Sequence, residues 1–327
     1  LCRIPKKYSK EYPTFQLPCG KCISCRLENA RQTAVRCVHE ASLYEKNCFL
    51  TLTYNDENIG DNRLHYDHVQ KFIKDLRNER FKELLGKLYP GESQKIQREA
   101  FNSLPKEKRD EWFDTIRISF FVCGEYGEKT KRAHWHLLVF NWSPDDGVRS
   151  HQNDRGDVSF QSPMLAKLWP YGFSSFGSVT FESAGYCARY SAKKLVHGKD
   201  GDHDFNPVSR RSCKNAIGKR WIERYWEDCF KTGFLVFQKG DEMIQCGIPR
   251  YYEKWLKKHK PKEWEVYVTT LKERNMDKAK ESNAKDLREE TAANIKRGYK
   301  GRVISKNQMR EKLLKSKFKK LQENLKL

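Results

Sequence analysis

No run of eighteen apolar residues occurs in this chain of 327 residues, and a membrane-crossing helix needs about that many. The first residues, Leu1-Cys-Arg-Ile-Pro-Lys-Lys, lack the apolar stretch of a signal peptide, so an unsecreted protein in a reducing compartment is expected. Internal repeats are absent, which excludes solenoids and propellers. There is no nucleotide-binding P-loop, so any duplex unwinding would fall to a separate helicase. Acidic charge is in deficit. Sixty-four Lys and Arg face 43 Asp and Glu, and a net charge of +21 exceeds what solubility requires and points to a polyanionic partner, nucleic acid first. Aromatic residues make up 13% of the chain, and many stand beside Lys or Arg, which suits stacking on single-stranded bases.

Eleven cysteines in an unsecreted chain point to buried thiols or metal ligands rather than disulfides. Cys19-Gly-Lys-Cys22-Ile-Ser-Cys25 places three thiols at metal-ligand spacing, with Cys2 available as a fourth. Four thiolates make the closed tetrahedral site of structural Zn²⁺. Lys21 and Arg26, beside it, are candidate DNA contacts. The other seven cysteines are scattered and read as small buried residues.

Residues 1–25 read as loop, with Pro5, Pro13, Pro18 and Gly20. From Leu27 to about Tyr44, Ala30, Ala34, Cys37, Val38 and Ala41 recur at helical spacing. Phe49-Leu-Thr-Leu-Thr-Tyr54 alternates as a strand does, and Tyr66, Val69, Phe72, Ile73 and Leu76 mark an amphipathic helix. Residues 77–115 are charged and helical in tendency, an insertion. Residues 116–122 and 134–140 read as an antiparallel hairpin, 143–157 as a polar loop, 177–181 as a short strand and 181–196 as a helix. Beyond Pro261, glycine and proline nearly vanish. Residues 296–327 carry twelve basic and two acidic residues, with Met309, Leu313, Leu314, Phe318, Leu321 and Leu325 at helical spacing. The segment reads as a basic amphipathic helix, either tethered flexibly or packed on the body by its apolar edge. These features predict an α+β protein in three parts: a Cys-rich segment over 1–26, a domain built on a central antiparallel sheet with flanking helices over 27–252, and a basic helical extension over 253–327.

His134-Trp-His136 puts two imidazoles on one face of a strand, because alternate side chains point the same way. They stand at the strand's start, where a site can meet solvent. A third ligand is expected from the preceding strand: Glu125, across the hairpin, or Glu128, further into the loop. Two imidazoles and a carboxylate with open positions suit Mg²⁺ or Mn²⁺ acting as a Lewis acid on a phosphate. In Tyr186-Cys-Ala-Arg-Tyr190-Ser-Ala-Lys193-Lys194, residues four apart place both phenols on one helical face. An aromatic stripe packed on the sheet would have the same spacing. Arg189, Lys193 and Lys194 on the same short helix favour a phosphate channel.

The strand at 49–54, the His-hydrophobe-His strand and the Tyr-x-x-x-Tyr-x-x-Lys helix, in that order, resemble the rolling-circle replication initiators of the HUH endonuclease superfamily. Pro18-Cys-Gly-Lys-Cys-Ile-Ser-Cys-Arg26, Gly124-Glu-Tyr-Gly127 and the paired tyrosines look like the microvirus initiators, the gokushovirus branch especially. The resemblance covers residues 1 to about 250. It implies an antiparallel sheet with helices on one side, His134 and His136 as metal ligands, Tyr186 and Tyr190 as nucleophiles, and Lys193 or Lys194 on the scissile phosphate. It further implies a nickase and strand transferase that acts on single-stranded origin DNA and circular phage DNA. Such a protein would work in the bacterial host cytoplasm with a host helicase and polymerase, through a 5′-phosphotyrosine. Two other readings use the same residues. A non-catalytic zinc-containing DNA-binding or packaging protein would leave the histidine and tyrosine pairs without a task. A relaxase or transposase would share the chemistry, but relaxases place the tyrosine first.

Overall fold

The computed structural model describes residues 7–8, 16–20, 22–127, 132–152, 156–193, 209–212, 215–239, 242–298, 301, 303–304, 308–309, 312–313 and 315–316; in the helix that ends at 193, side chains are described as far as Ala188. The chain divides into two compact units, Thr33–Trp221 and Leu1–Gln32 together with Ile222–Leu327. This differs from the three-part division expected above. Residues 222–252, assigned to the central domain, group with both terminal segments, because a shift in composition at Pro261 does not mark a packing boundary.

A short antiparallel pair, β1 (Lys7–Tyr8) and β2 (Gln16–Leu17), precedes α1 (Ile23–Ala41). The unit Thr33–Trp221 is then organised around β3 (Asn47–Tyr54), whose residues are alternately half-buried and buried. Cys48, Leu50, Leu52 and Tyr54 enter the main core, while Phe49, Thr51 and Thr53 face the other way. α2 (Tyr66–Leu88) follows and buries Val69, Phe72, Ile73 and Leu76, a stripe at helical spacing laid on that core. The charged stretch after it is helical as predicted. The end of α2, α3 (Gln94–Asn102) and α4 (Lys106–Thr115) gather Phe81, Phe101 and Phe113 into a second small cluster.

The hairpin of β4 (Ser119–Tyr126) and β5 (Ala133–Phe140) is present, with its first strand starting later than expected. Within the segment read as a loop, β6 (Val148–Gln152) pairs with β7 (Val158–Gln161). α5 (Pro163–Leu168) leads to β8 (Gly172–Gly177), which ends where the predicted short strand was to begin. α6 (Phe181–Lys193) and β9 (Ser209–Arg211) complete a seven-stranded sheet in the order β6-β7-β8-β3-β5-β4-β9, antiparallel throughout.

Helices cover both faces of this sheet, not one. α2 lies on the face of Trp135, Leu137 and Val139. The opposite face is shared by α6, which lies against β4 and β5, and by the end of α1, whose Glu40 accepts a 2.6 Å hydrogen bond from Ser119. Burial on both sides explains why β5 reads as a nearly unbroken apolar run after its histidines. Gly172 sits at φ +152°, where a Cβ would come within 2.3 Å of Asn55 N and 2.4 Å of Thr53 O. Only glycine lets β8 close onto β3 there.

In the second unit, α7 (Lys219–Lys231) leads to a hairpin of β10 (Leu235–Lys239) and β11 (Glu242–Cys246). α8 (Arg250–His259), α9 (Pro261–Val266), a π-helical turn at Tyr267–Lys272 and α10 (Glu273–Lys296) follow. α10 buries none of its residues. Most of the basic amphipathic segment predicted over 296–327 lies outside the described residues. Among those described, no helix is long and apolar enough to cross a membrane.

Candidate metal and tyrosine centre

The register of three central strands assembles the site. Glu125 of β4 stands directly opposite His134 of β5, and Thr53 and Thr51 of β3 stand opposite His134 and His136. Directly paired residues share a sheet face. Glu125 Oε1 is 2.9 Å from His134 Nε2 and 2.8 Å from His136 Nε2. From α6, the Tyr186 hydroxyl donates a 3.0 Å hydrogen bond to the same oxygen. The Tyr186 ring meets His136 edge-on, and Phe49 stacks on His136 from β3.

Local chemistry holds the ligands from behind. Trp135, between the histidines, points into the core and donates 3.1 Å to the Tyr54 hydroxyl. Its ring fills the space over Gly124, where a Cβ would lie 2.7 Å from the indole and 2.9 Å from Leu64. A side chain at 124 would lift β4 and carry Glu125 with it. Arg132 donates 2.8 Å to the Tyr54 carbonyl and pairs with Asp56, fixing the entry to β5.

The hydrogen bonding fits a cation. His134 Nδ1 is 3.0 Å from the Arg132 carbonyl, which can only accept, so Nδ1 carries the hydrogen. A neutral imidazole then turns its Nε2 lone pair toward the Glu125 carboxylate, and two lone pairs at 2.9 Å need a proton or metal ion between them. His136 Nδ1 lies 3.1 Å from the Thr51 hydroxyl, which likewise fixes its ring. Burial raises the Glu125 pKa, but hydrogen bonds and charge from His134 and His136 outweigh it and bring the carboxyl down to about 2. Burial lowers the His136 pKa, against the pull of Glu125. Glu125 and His136 are 5% and 6% exposed, whereas the His134 side chain is 17% exposed and forms the open edge. One imidazole nitrogen from each histidine and a Glu125 oxygen lie within 4.8 Å of one another, a donor set suited to a divalent ion.

Of the two carboxylates weighed for the third position, Glu125 is in place, and Glu128 lies outside the described residues. Tyr190 follows Tyr186 by one turn on α6, but its side chain, like those of Arg189 and Lys193, is outside the description, as is Lys194. Cys123 and Cys187, buried and hydrogen-bonded to each other, pack beside the centre; no local pattern signals this pairing, which joins a strand to a helix.

In the other unit, the thiols of Cys19, Cys22 and Cys25 form a second group within 4.8 Å of one another. Cys19 and Cys25 sulfurs are 3.9 Å apart, and the Cys22 amide donates 3.3 Å to Cys19 Sγ. An amide aimed at sulfur stabilises a thiolate, as a metal site needs. Cys2 and Lys21 lie outside the described residues. Arg26, expected as a DNA contact, is 6% exposed, so its guanidinium faces the interior. Among the scattered cysteines, Cys37, Cys48, Cys123, Cys187 and Cys229 are buried, while Cys246 is partly exposed.

Two imidazoles and a carboxylate on the middle strands of an antiparallel sheet, met by a phenol from the helix above, define a class of sheet-borne metal and tyrosine centre. The family model for replication-associated proteins of the ORF2 type matches residues 89–195, the stretch that holds every residue of this centre except those of β3. Replication-associated protein VP4 of Bdellovibrio phage phiMH2K is 42% identical over 98% of this chain and 93% of its own length. Replication-associated protein ORF4 of Chlamydia phage 1 is 30% identical over 75% of this chain and 54% of its own length. Replication-associated protein ORF2 of Spiroplasma virus 4 is 28% identical over 81% and 74%. The chain belongs to the replication-associated protein family of the microviruses. No solved structure matches it.

Proposed function

We propose that the protein nicks single-stranded origin DNA and rejoins it, initiating rolling-circle replication of a small circular phage genome. The observation that carries this reading is the convergence of the Tyr186 hydroxyl and both imidazoles on one oxygen of Glu125. A phenol so placed is within reach of any phosphate held at the histidines.

In the reaction, the tyrosine oxygen forms a bond to phosphorus and the bond to the 3′ oxygen breaks. This leaves a 5′-phosphotyrosine and a 3′ hydroxyl, to which a proton returns. The 3′ end is available to a host polymerase, with a host helicase opening the duplex. Glu125 does not act as the proton sink: a carboxylate near 2 and a phenol near 10 are too far apart for efficient transfer. It orients the hydroxyl and fixes the two imidazoles. Bound at His134, His136 and Glu125, Mg²⁺ or Mn²⁺ would supply Lewis-acid stabilisation of the reacting phosphate. Tyr190 is assigned the second transfer, and Arg189, Lys193 and Lys194 the phosphate backbone. Zn²⁺ at Cys19, Cys22 and Cys25, with Cys2 as fourth ligand, is assigned a structural role.

Labelled single-stranded DNA carrying the phage origin, incubated with the protein and Mn²⁺ and resolved on a denaturing gel, tests this. A covalent protein-DNA band is expected from the parent and from Tyr186→Phe or Tyr190→Phe, and none from the double variant. Undiminished covalent product from the double variant would assign the attack to another residue. Binding without any covalent band would leave the reading of a non-catalytic DNA-binding protein.

A further inference from the structure

Register carries the row of the metal centre two strands further than the centre itself. Glu125 pairs with His134, His134 with Thr53, and Thr53 with Phe173 of β8, so all four side chains share one face of the sheet. At about 4.8 Å per strand, Phe173 stands roughly 10 Å from His134 along the row. Its surroundings are unusual for its position. β8 is an interior strand, hydrogen-bonded to β3 on one side and β7 on the other, yet Phe173 is 71% exposed. The helices that bury the same face over β4 and β5 leave it open here. The surface between is hydroxylated rather than apolar: Thr53 lies within the row, and Thr51 and Ser175 within the next. An interior strand gains nothing in stability from a phenyl ring held in water, because the burial worth about 1.5–3 kcal/mol is forgone.

We infer that Phe173 is a stacking platform for a base of the single strand whose phosphate lies at the histidines. This deepens the nicking reading and rests on it for the position of the phosphate. Even a stacked strand advances about 3.4 Å per nucleotide, so a base within some three nucleotides of the reacting phosphate spans the distance. Hydroxyls along the way suit sugar and phosphate contacts, and the chain's net charge of +21 supplies the complementary field. A ring that stacks reads no base edge, so the contact would position DNA without selecting its sequence.

The test uses the full chain in a Tyr186→Phe/Tyr190→Phe background, so that binding is read without cleavage. The probe is a fluorescein-labelled oligothymidylate about 15 nucleotides long, followed by anisotropy. Phe173→Ala is expected to weaken binding by about fivefold to a hundredfold, as the loss of one stacked base predicts. Phe173→Leu should weaken it comparably, because leucine keeps an apolar side chain but has no π-face. Phe173→Trp should bind as the parent does. Parent-like binding by both the alanine and leucine variants would overturn the inference. The covalent-band assay in the natural tyrosine background separates the two readings. Covalent product together with unaffected Phe173→Ala binding removes the platform and keeps the nickase. Weakened binding without covalent product from the parent removes the nickase and keeps a single-strand platform.

Discussion

Glu125 is nearly inaccessible to solvent and still a carboxylate, because three hydrogen-bonding groups from two other elements reach one of its oxygens. Glu125→Gln keeps the shape and removes the charge. Covalent complex should be lost while oligothymidylate affinity persists, since affinity comes mainly from phosphate contacts with Lys and Arg. Gel and anisotropy measured side by side would show parallel losses if the residue served only the fold. A second residue sets a pH dependence. His39 is buried with its ring 3.6 Å from that of Trp221, and burial holds it down at about 3. An unfolded histidine titrates near 6.5, so below that pH the unfolded chain takes up a proton that the native state refuses. Its contribution is therefore full above about 6.5 and is lost as the pH falls toward 3, at up to about 1.4 kcal/mol per unit. His39→Phe retains the stack without the titration, so between pH 7 and pH 5 it should lose less stability than the parent in urea melts. Identical pH slopes would refute this. At this scale His134, His136, Glu125 and Tyr186 were legible, because a period of two and a hairpin register are local properties. The burial of Arg26 was not, since it depends on packing that no local pattern encodes.

Among the elements, β3, α2 and the β4–β5 hairpin were legible because each alternates or repeats against a core. β6 and β7 were not. Their residues are largely exposed, so neither strand shows the alternation that burial imposes. β8, Gly172-Phe-Ser-Ser-Phe-Gly177, has the composition of a loop and is a strand because β3 pairs with it. Its dependence on Gly172 is testable: Gly172→Ala places a Cβ against the backbone of Thr53 and Asn55 and should cost more than about 1 kcal/mol in chemical denaturation. A change within error would show that the strand ends shift without cost. The cysteine element makes a separate prediction. Protein purified without added metal should contain about one zinc per chain, and Cys22→Ser should lose zinc and thermal stability together. Metal-free protein with unchanged melting would refute a structural site.

For the whole molecule, composition located the nucleic-acid character and the basic end of the chain but misplaced the division between units. The second unit is built from both ends of the sequence, a closure that the shift at Pro261 could not reveal. The position of the centre within the sheet has a kinetic consequence. His134 and His136 ride a strand laddered on both sides, so their amides are released only when the sheet itself comes apart. Tyr186 rides α6, which is laid on one face and can lift by breaking side-chain contacts alone. Native-state hydrogen exchange should therefore order the machinery: peptides covering 148–161 first, 181–193 next, and 133–140 only at the global unfolding rate. Simultaneous exchange of 181–193 and 133–140 would show a single cooperative block. With the order as expected, the protein has an immobile anvil and a separable hammer, and a DNA-bearing phenol can swing clear of ligands that never loosen.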